Sequence, residues 1–199
     1  MDDHAPSSLE HDPPPRENFF ADLVRFAIIA GLIVLPIRLF VAQPFIVSGA
    51  SMEPTFENGQ YLIVDEITYR LEEPGRGDVI IFRYPRDPSK FFIKRIVGLP
   101  GETIRIEGAA ITIKNDAHPE GFALDEPYIA GMHKPVSLTQ TLKAGEYFVL
   151  GDNRDASSDS RVWGVLKRGN IVGRAFLRLL PVSEVGVFPG YHEPAEVGE

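Results

Sequence analysis

Apolar and polar positions follow one pattern up to residue 41 and another beyond it. Residues 19–41 read FFADLVRFAIIAGLIVLPIRLFV, 23 residues whose charged side chains are Asp22, Arg25 and Arg38. Coiled as a helix they would reach about 34 Å, enough for a hydrocarbon core of about 30 Å. The pattern therefore predicts one N-terminal transmembrane helix over 19–41. Its uninterrupted apolar part, residues 26–37, is 12 residues long and lies between Arg25 and Arg38, whose long side chains can snorkel toward headgroups. A buried or interfacial helix is the competing reading of so short a run. Arg16 and Arg25 on the first side, against Arg38 on the second, tip the orientation slightly toward an inside N-terminus.

From residue 42 the period shortens. Apolar runs at 61–64, 78–82, 91–99, 103–106, 111–113, 147–150 and 171–180, with V-S-L-T at 136–139 as one more, are separated by turn residues such as Gly59, Pro74, Gly75, Gly77, Pro100, Gly101 and Gly108. Many short strands without a long amphipathic helix predict a mostly β domain over 42–183. The proline-punctuated stretch 114–145 reads as a small insertion in it. Residues 1–18 are polar, with Pro13, Pro14 and Pro15 in a row, and read as a disordered head; 184–199 read as an acidic tail.

Charge sharpens this division. The formal charge of -8 is concentrated at the ends, with six acids against one Arg in residues 1–22 and four acids without Lys or Arg in 184–199. The body is near neutral and has no basic stripe, so nucleic acid is not an expected partner. There is no cysteine, which excludes disulfides and thiolate metal sites. His4, His11, His118, His133 and His192 are scattered among polar or proline-rich neighbours, and no metal site and no cofactor is expected.

The candidate chemistry begins just past the apolar segment, in V-S-G-A-S-M-E-P-T at 47–55. Ser51 there is a candidate nucleophile, and serine needs a base to lose its proton near neutral pH. None of the five histidines lies in a predicted strand, so lysine is the other candidate, provided burial strips its charge. Of six lysines, Lys94 alone sits in an apolar strand, F-F-I-K-R-I-V. Alternation places Phe92, Lys94 and Ile96 on one face and Phe91, Ile93, Arg95 and Val97 on the other. An edge strand exposing Lys94 to water is equally compatible with this pattern. A third segment, G-D-N-R-D-A-S-S-D-S-R at 151–161, lacks the glycine and glutamate of a calcium loop. It reads as a hydrogen-bonded, ion-paired corner or as a solvated polar loop, with Ser157 and Ser160 as hydroxyls able to orient an amine.

With these segments assembled, the sequence resembles the bacterial type I signal (leader) peptidases, membrane-anchored serine proteases with a Ser/Lys dyad. S-M-E-P-T at Ser51, R-G-D-V-I-I-F at Arg76, K-R-I-V-G-L-P-G at Lys94 and G-D-N-R-D-A-S-S-D-S-R-V-W-G at Gly151 follow the family's boxes in order. The resemblance covers roughly residues 40–180 and implies an antiparallel β catalytic domain. It implies Ser51 as nucleophile, Lys94 as neutral general base, Ser157 as the hydroxyl orienting the Lys94 amine, and Asp152, Asp159 and Arg161 as supports of the site. Phe45, Val47, Leu62, Ile81 and Ile93 match positions lining shallow pockets for small side chains one and three residues before the cut. The substrates implied are exported preproteins, cut after a small-x-small motif at the outer face of the bacterial inner membrane, where a single-pass anchor would hold the domain on the periplasmic side. Lipid contact is expected around Phe45 and Phe56. Two positions depart from common family members: Gly49 stands where some have a serine that donates to the oxyanion, and Ala156 replaces an asparagine.

Three other readings share parts of this pattern. A specialised relative could mature one pilin-like or conjugation substrate with the same chemistry. A self-cleaving repressor would need a DNA-binding head and a scissile Ala-Gly or Cys-Gly before the serine, whereas Ala130-Gly131 follows it. An inactive, membrane-tethered module binding extended peptides would not need the Ser51 and Lys94 pair.

Overall fold

A computed structural model describes residues 19–36, 42–129, 135–192 and 196–197. Two compact units divide at Pro36. In the first, helix α1 spans Phe19–Pro36, 18 residues, or about 27 Å of axial rise. Among the described residues no helix is long and apolar enough to cross a membrane; the head, 1–18, and residues 37–41 of the expected span lie outside them.

The second unit is antiparallel β throughout, as its short apolar runs predict. Its larger sheet runs in the order β1 (Ala42–Ile46), β2 (Tyr61–Asp65), β11 (Ile171–Leu180), β3 (Val79–Tyr84), β4 (Asp87–Gly98), β9 (Glu146–Leu150), β10 (Leu166–Lys167), with β12 (Gly186–Val187) beside β11. The smaller sheet runs β13 (Glu196–Val197), β7 (Phe122–Leu124), β6 (Ala110–Lys114), β5 (Thr103–Gly108), β8 (Val136–Thr141). Beyond α1, the α-helices among the described residues are the four-residue α2 (Thr68–Leu71) and α3 (Ser160–Trp163). Alternation sets the faces: Leu62 and Val64 of β2 and Ile104 and Ile106 of β5 point inward, while Arg105 points out. Register shifts at Ala175/Leu177 and Arg178/Leu180 bend β11, as β-bulges do, and it pairs with β2, β3 and β12.

Three apolar clusters fill the unit. One gathers Ile80, Phe82, Ile96, Tyr147 and Trp163, a second packs the smaller sheet against Val97, Phe148 and Leu150, and a third packs Met52, Phe56, Val64 and Val79 behind Ser51. The smaller sheet leaves the larger one through a stitched neck, where Leu142 N–H donates to the Glu102 carbonyl (2.8 Å) and Gly101 N–H to the Leu142 carbonyl (3.1 Å).

Three expectations differ from what is observed. The insertion begins earlier, since β5 at Thr103 already belongs to the smaller sheet. Residues 184–192 of the expected acidic tail are tied down: Glu184 pairs with Arg178 at 2.5 Å and accepts from Gln60 at 2.9 Å, and β12 follows. Phe56, expected at a lipid-facing surface, is 0% exposed with Arg178 stacked 4.9 Å from its ring centroid, so it cannot reach lipid.

Candidate active site

The Ser51 loop is pinched at its base. Val47 N–H donates to the Gln60 carbonyl (2.9 Å) and Gly59 N–H to the Val47 carbonyl (2.8 Å). Gly49, at φ +90°, takes a left-handed conformation that side-chain-bearing residues avoid, and its N–H donates to Asn58 Oδ1 at 2.9 Å. Buried Met52 and Phe56 anchor the far side, leaving Ser51 half-buried at the rim.

Strand β4 delivers the amine. It lies between β3 and β9 rather than at an edge, so Lys94 is 3% exposed. Its Nζ lies 2.6 Å from Ser51 Oγ and 2.7 Å from the Ile93 carbonyl oxygen. Burial pulls the Lys94 pKa from its usual 10.5 to about 8, against the opposing pull of the Asp159 and Asp152 carboxylates. That shift corresponds to about 3 kcal/mol of lost preference for the charged form. A lysine held this way can take a proton from serine, which an exposed lysine at the same pH cannot.

The 151–161 segment is the ion-paired corner. Asp159 is 0% exposed and accepts from Gly151 N–H (3.2 Å), Arg161 N–H (3.2 Å), Arg161 Nε (2.8 Å) and Arg161 Nη2 (2.8 Å), capping α3. Ser160 Oγ accepts from Val149 N–H at 3.0 Å. Asp152 takes a two-pronged bond from Arg95, at 2.9 and 2.6 Å, and a third from Thr55 Oγ1 at 2.5 Å. Asn153 N–H donates to the Ser51 carbonyl at 3.1 Å. This close approach requires glycine at 151, where a Cβ would collide with the Ser51 carbonyl oxygen and Ser157 Oγ.

The Ser157 hydroxyl is buried and has no hydrogen-bond partner among the described residues; the Lys94 amine donates to the Ile93 carbonyl. The remaining candidates converge. Phe45, Val47, Leu62, Ile81 and Ile93 line one cleft of about 480 Å³ together with Ser51 and Lys94.

The same cleft holds Phe91, edge-on to Phe45 at 5.4 Å between ring centroids, and Ala156. Phe91 shares a face with Ile93, so alternation could have found it. Arg95 and Thr55 had no such signal. Arg95 is 0% exposed, bonded to Asp152 and to the carbonyls of Gly77 (3.0 Å) and Gly190 (2.5 Å), with its guanidinium carbon 3.8 Å from the Tyr128 ring centroid.

Comparison with known proteins shows the family of the chain. Residues 20–180 match the family model described as signal peptidase, peptidase S26. The chain belongs to this family. A probable signal peptidase I-2 of Synechocystis sp. is 37% identical over 191 residues, covering 91% of this chain and 82% of the relative. A signal peptidase I of Leptolyngbya laminosa is 39% identical over 162 residues, 78% of this chain and 77% of its own. A crystal structure of a signal peptidase I from Enterococcus faecalis V583 aligns with a TM-score of 0.44 at 31% identity, over 52% of this chain and 97% of that one. As a member of the signal peptidase family the chain is a serine endopeptidase.

Proposed function

We propose that this signal peptidase removes N-terminal signal peptides from exported preproteins after a small-x-small motif, with Ser51 as nucleophile and Lys94 as general base. The observation that carries the mechanism is the 2.6 Å separation of Lys94 Nζ and Ser51 Oγ at the end of a largely apolar cleft. Neutral Lys94 takes the hydroxyl proton as Ser51 Oγ attacks the scissile carbonyl. Negative charge on the carbonyl oxygen meets the backbone N–H of Ser51. Gly49 has no hydroxyl to add, so main-chain donors carry this load.

The protonated amine then gives its proton to the departing amine of the mature protein, which leaves an ester on Ser51. Water attacks that ester, Lys94 takes the water's proton and passes it to Ser51 Oγ, and the signal peptide departs with a free carboxylate. The Ile93 carbonyl, 2.7 Å from Nζ, orients the amine for both transfers. Asp152, Asp159 and Arg161 hold the surrounding backbone. The substrate lies extended along the cleft as an added strand, with small side chains over Val47, Leu62, Ile81 and Ile93.

The same proposal includes a tether by the apolar segment 19–41, with 42–183 as the peptidase domain on the outer side of the bacterial inner membrane. Supporting it, α1 leaves Phe19, Phe20, Phe26, Ile28 and Leu32 exposed around its circumference, an all-round apolar surface that wants an apolar surrounding. A catalytic domain held there meets emerging preproteins at high effective concentration.

The test is cleavage of a preprotein with alanine one and three residues before its cut, by detergent-solubilised wild type, Ser51→Ala and Lys94→Ala, with the new N-terminus sequenced. Cleavage at that site by wild type alone is the expected result. Full activity of Lys94→Ala would remove the base assignment, and an intact preprotein with wild type would overturn the activity.

A further inference from the structure

The family match ends at residue 180, yet the chain beyond it reaches the back of the Ser51 turn. We propose that residues 181–192 form a strap that holds this turn in register with Lys94, and that Gly190 is its positioning residue. The inference rests on Ser51 being the nucleophile.

The strap touches the turn directly. A Cβ on Gly190 would lie 2.5 Å from Thr55 Cγ2 and 3.0 Å from Phe56 Cε2, so the strap backbone packs against the last residues of the turn with no space between. The Gly190 carbonyl accepts from Arg95 Nη1 at 2.5 Å. Arg95 grips Asp152, and Asp152 accepts from Thr55 Oγ1 at 2.5 Å. Gly190 therefore closes a ring with Thr55, Asp152 and Arg95, and the neighbour of Arg95 on β4 is Lys94. A shift of Gly190 moves the turn carrying Ser51 against the strand carrying its base.

The strap is itself held at several points. At its start Glu184 binds Arg178 and Gln60, and Arg178 Nη2 donates to the Thr55 carbonyl at 2.8 Å. Gln60 is the residue whose carbonyl closes the base of the Ser51 loop on Val47. In the middle, Phe188 adopts φ +48°, a conformation that persists for a bulky residue where its surroundings enforce it. Its N–H donates to the Phe176 carbonyl at 2.7 Å, and its ring lies 4.6 Å below Arg174 and 5.3 Å from the Phe176 ring. Near its end His192 meets the Tyr128 ring, which stacks on Arg95.

Gly190→Ala tests the proposal, because the added methyl pushes on Thr55 and strains a backbone at φ +73° while leaving the pocket residues alone. With a small-x-small preprotein and the full chain in detergent, we expect kcat per folded molecule to fall roughly ten- to a hundredfold, as misplacing a reacting group does, with KM changed less than about twofold. Thr55→Ser removes the methyl in the way and keeps the hydroxyl for Asp152, so Gly190→Ala/Thr55→Ser should recover at least part of the lost kcat, a coupling that distant sites do not show. A chain ending at Phe188 loses the Gly190 carbonyl outright and should show the same fall in kcat, which keeps the test decisive should Gly190→Ala not fold. Unchanged kcat in Gly190→Ala or the shortened chain, a rise in KM alone, or a double variant no better than Gly190→Ala would each overturn the strap. Ser51→Ala run alongside separates the two readings: cleavage by Ser51→Ala removes the nucleophile itself, whereas a dead Ser51→Ala beside a fully active Gly190→Ala removes the strap alone.

Discussion

Lys94 and Arg95 are consecutive cations on one strand, and both are buried, yet their surroundings treat their charges in opposite ways. Arg95 is fully paired: Asp152 meets it with two bonds and two carbonyls take further N–H groups. Among the described residues no carboxylate bonds Lys94; Asp152 and Asp159 act on it through space and burial outweighs them. The difference teaches that this strand supports structure on one face and proton transfer on the other. Burial alone does not make a base; burial without a paired counter-charge does.

The largest expected effect comes from removing the unpaired member. Lys94→Met should lower kcat/KM by more than about a thousandfold, the upper part of the range for losing a general base. The same variant should be more stable than wild type at pH 7, since it replaces a charge buried at a cost of about 3 kcal/mol. A thermal melt beside the activity assay checks both, and a destabilised Lys94→Met would contradict the cost assigned to the amine.

Removing the counter-charge of the paired member comes next. Asp152→Asn leaves Arg95 buried without its carboxylate and should cost about 3–5 kcal/mol in denaturant unfolding. In whatever fraction stays folded, the lower limb of the pH–rate profile should move to lower pH, because Asp152 is one of the two carboxylates raising the Lys94 pKa.

The pH dependence of the wild type sharpens the contrast further. Activity limited by neutral Lys94 should rise through about pH 8. Below pH 8 the folded and unfolded chains both hold the Lys94 proton, and the folded one carries the full penalty of burying it. Between about 8 and the usual 10.5 the unfolded chain alone retains that proton, so this group makes stability rise with pH, and the rise ends above 10.5. Comparing unfolding of wild type and Lys94→Met across this window isolates the contribution; equal slopes would contradict it. The smallest effect belongs to Ser157→Ala, which removes a buried hydroxyl without a partner among the described residues. It should leave stability equal or raised by roughly 0.5 kcal/mol in the same unfolding assay.

Much of the β unit is legible in the sequence because its strands alternate. Leu62 and Val64, or Ile104 and Ile106, declare their faces within a few residues. β1 is not legible, since Pro44 sits in its middle and proline reads as a break unless the strand is known to be an edge. β7, three residues long, offers too little pattern to see. Ser51 and Lys94 stand out because one needs a base and the other is a cation among apolar neighbours. The bond of Arg95 to Asp152 spans 57 positions, and no local pattern announces a partner that distant. Phe56 reads as a membrane contact because it is an aromatic near an apolar segment, while Arg178 and Gly190, which cover it, lie more than a hundred residues later. The stretch from Glu184 reads as an acidic tail for the same reason: Gln60, which faces Glu184, lies 124 positions away.

The stitched neck between Glu102 and Leu142 has a consequence for how such a chain can change over time. Strands β5 and β8 leave and rejoin the larger sheet at one hydrogen-bonded junction, so the turns between strands of the smaller sheet can lengthen or shorten without altering the spacing of β4 and β9. Lys94 lies on the incoming side of the junction and Asp152 just past the outgoing strand. Descendants of one peptidase could thus differ widely in mass while keeping the reacting pair at a constant separation.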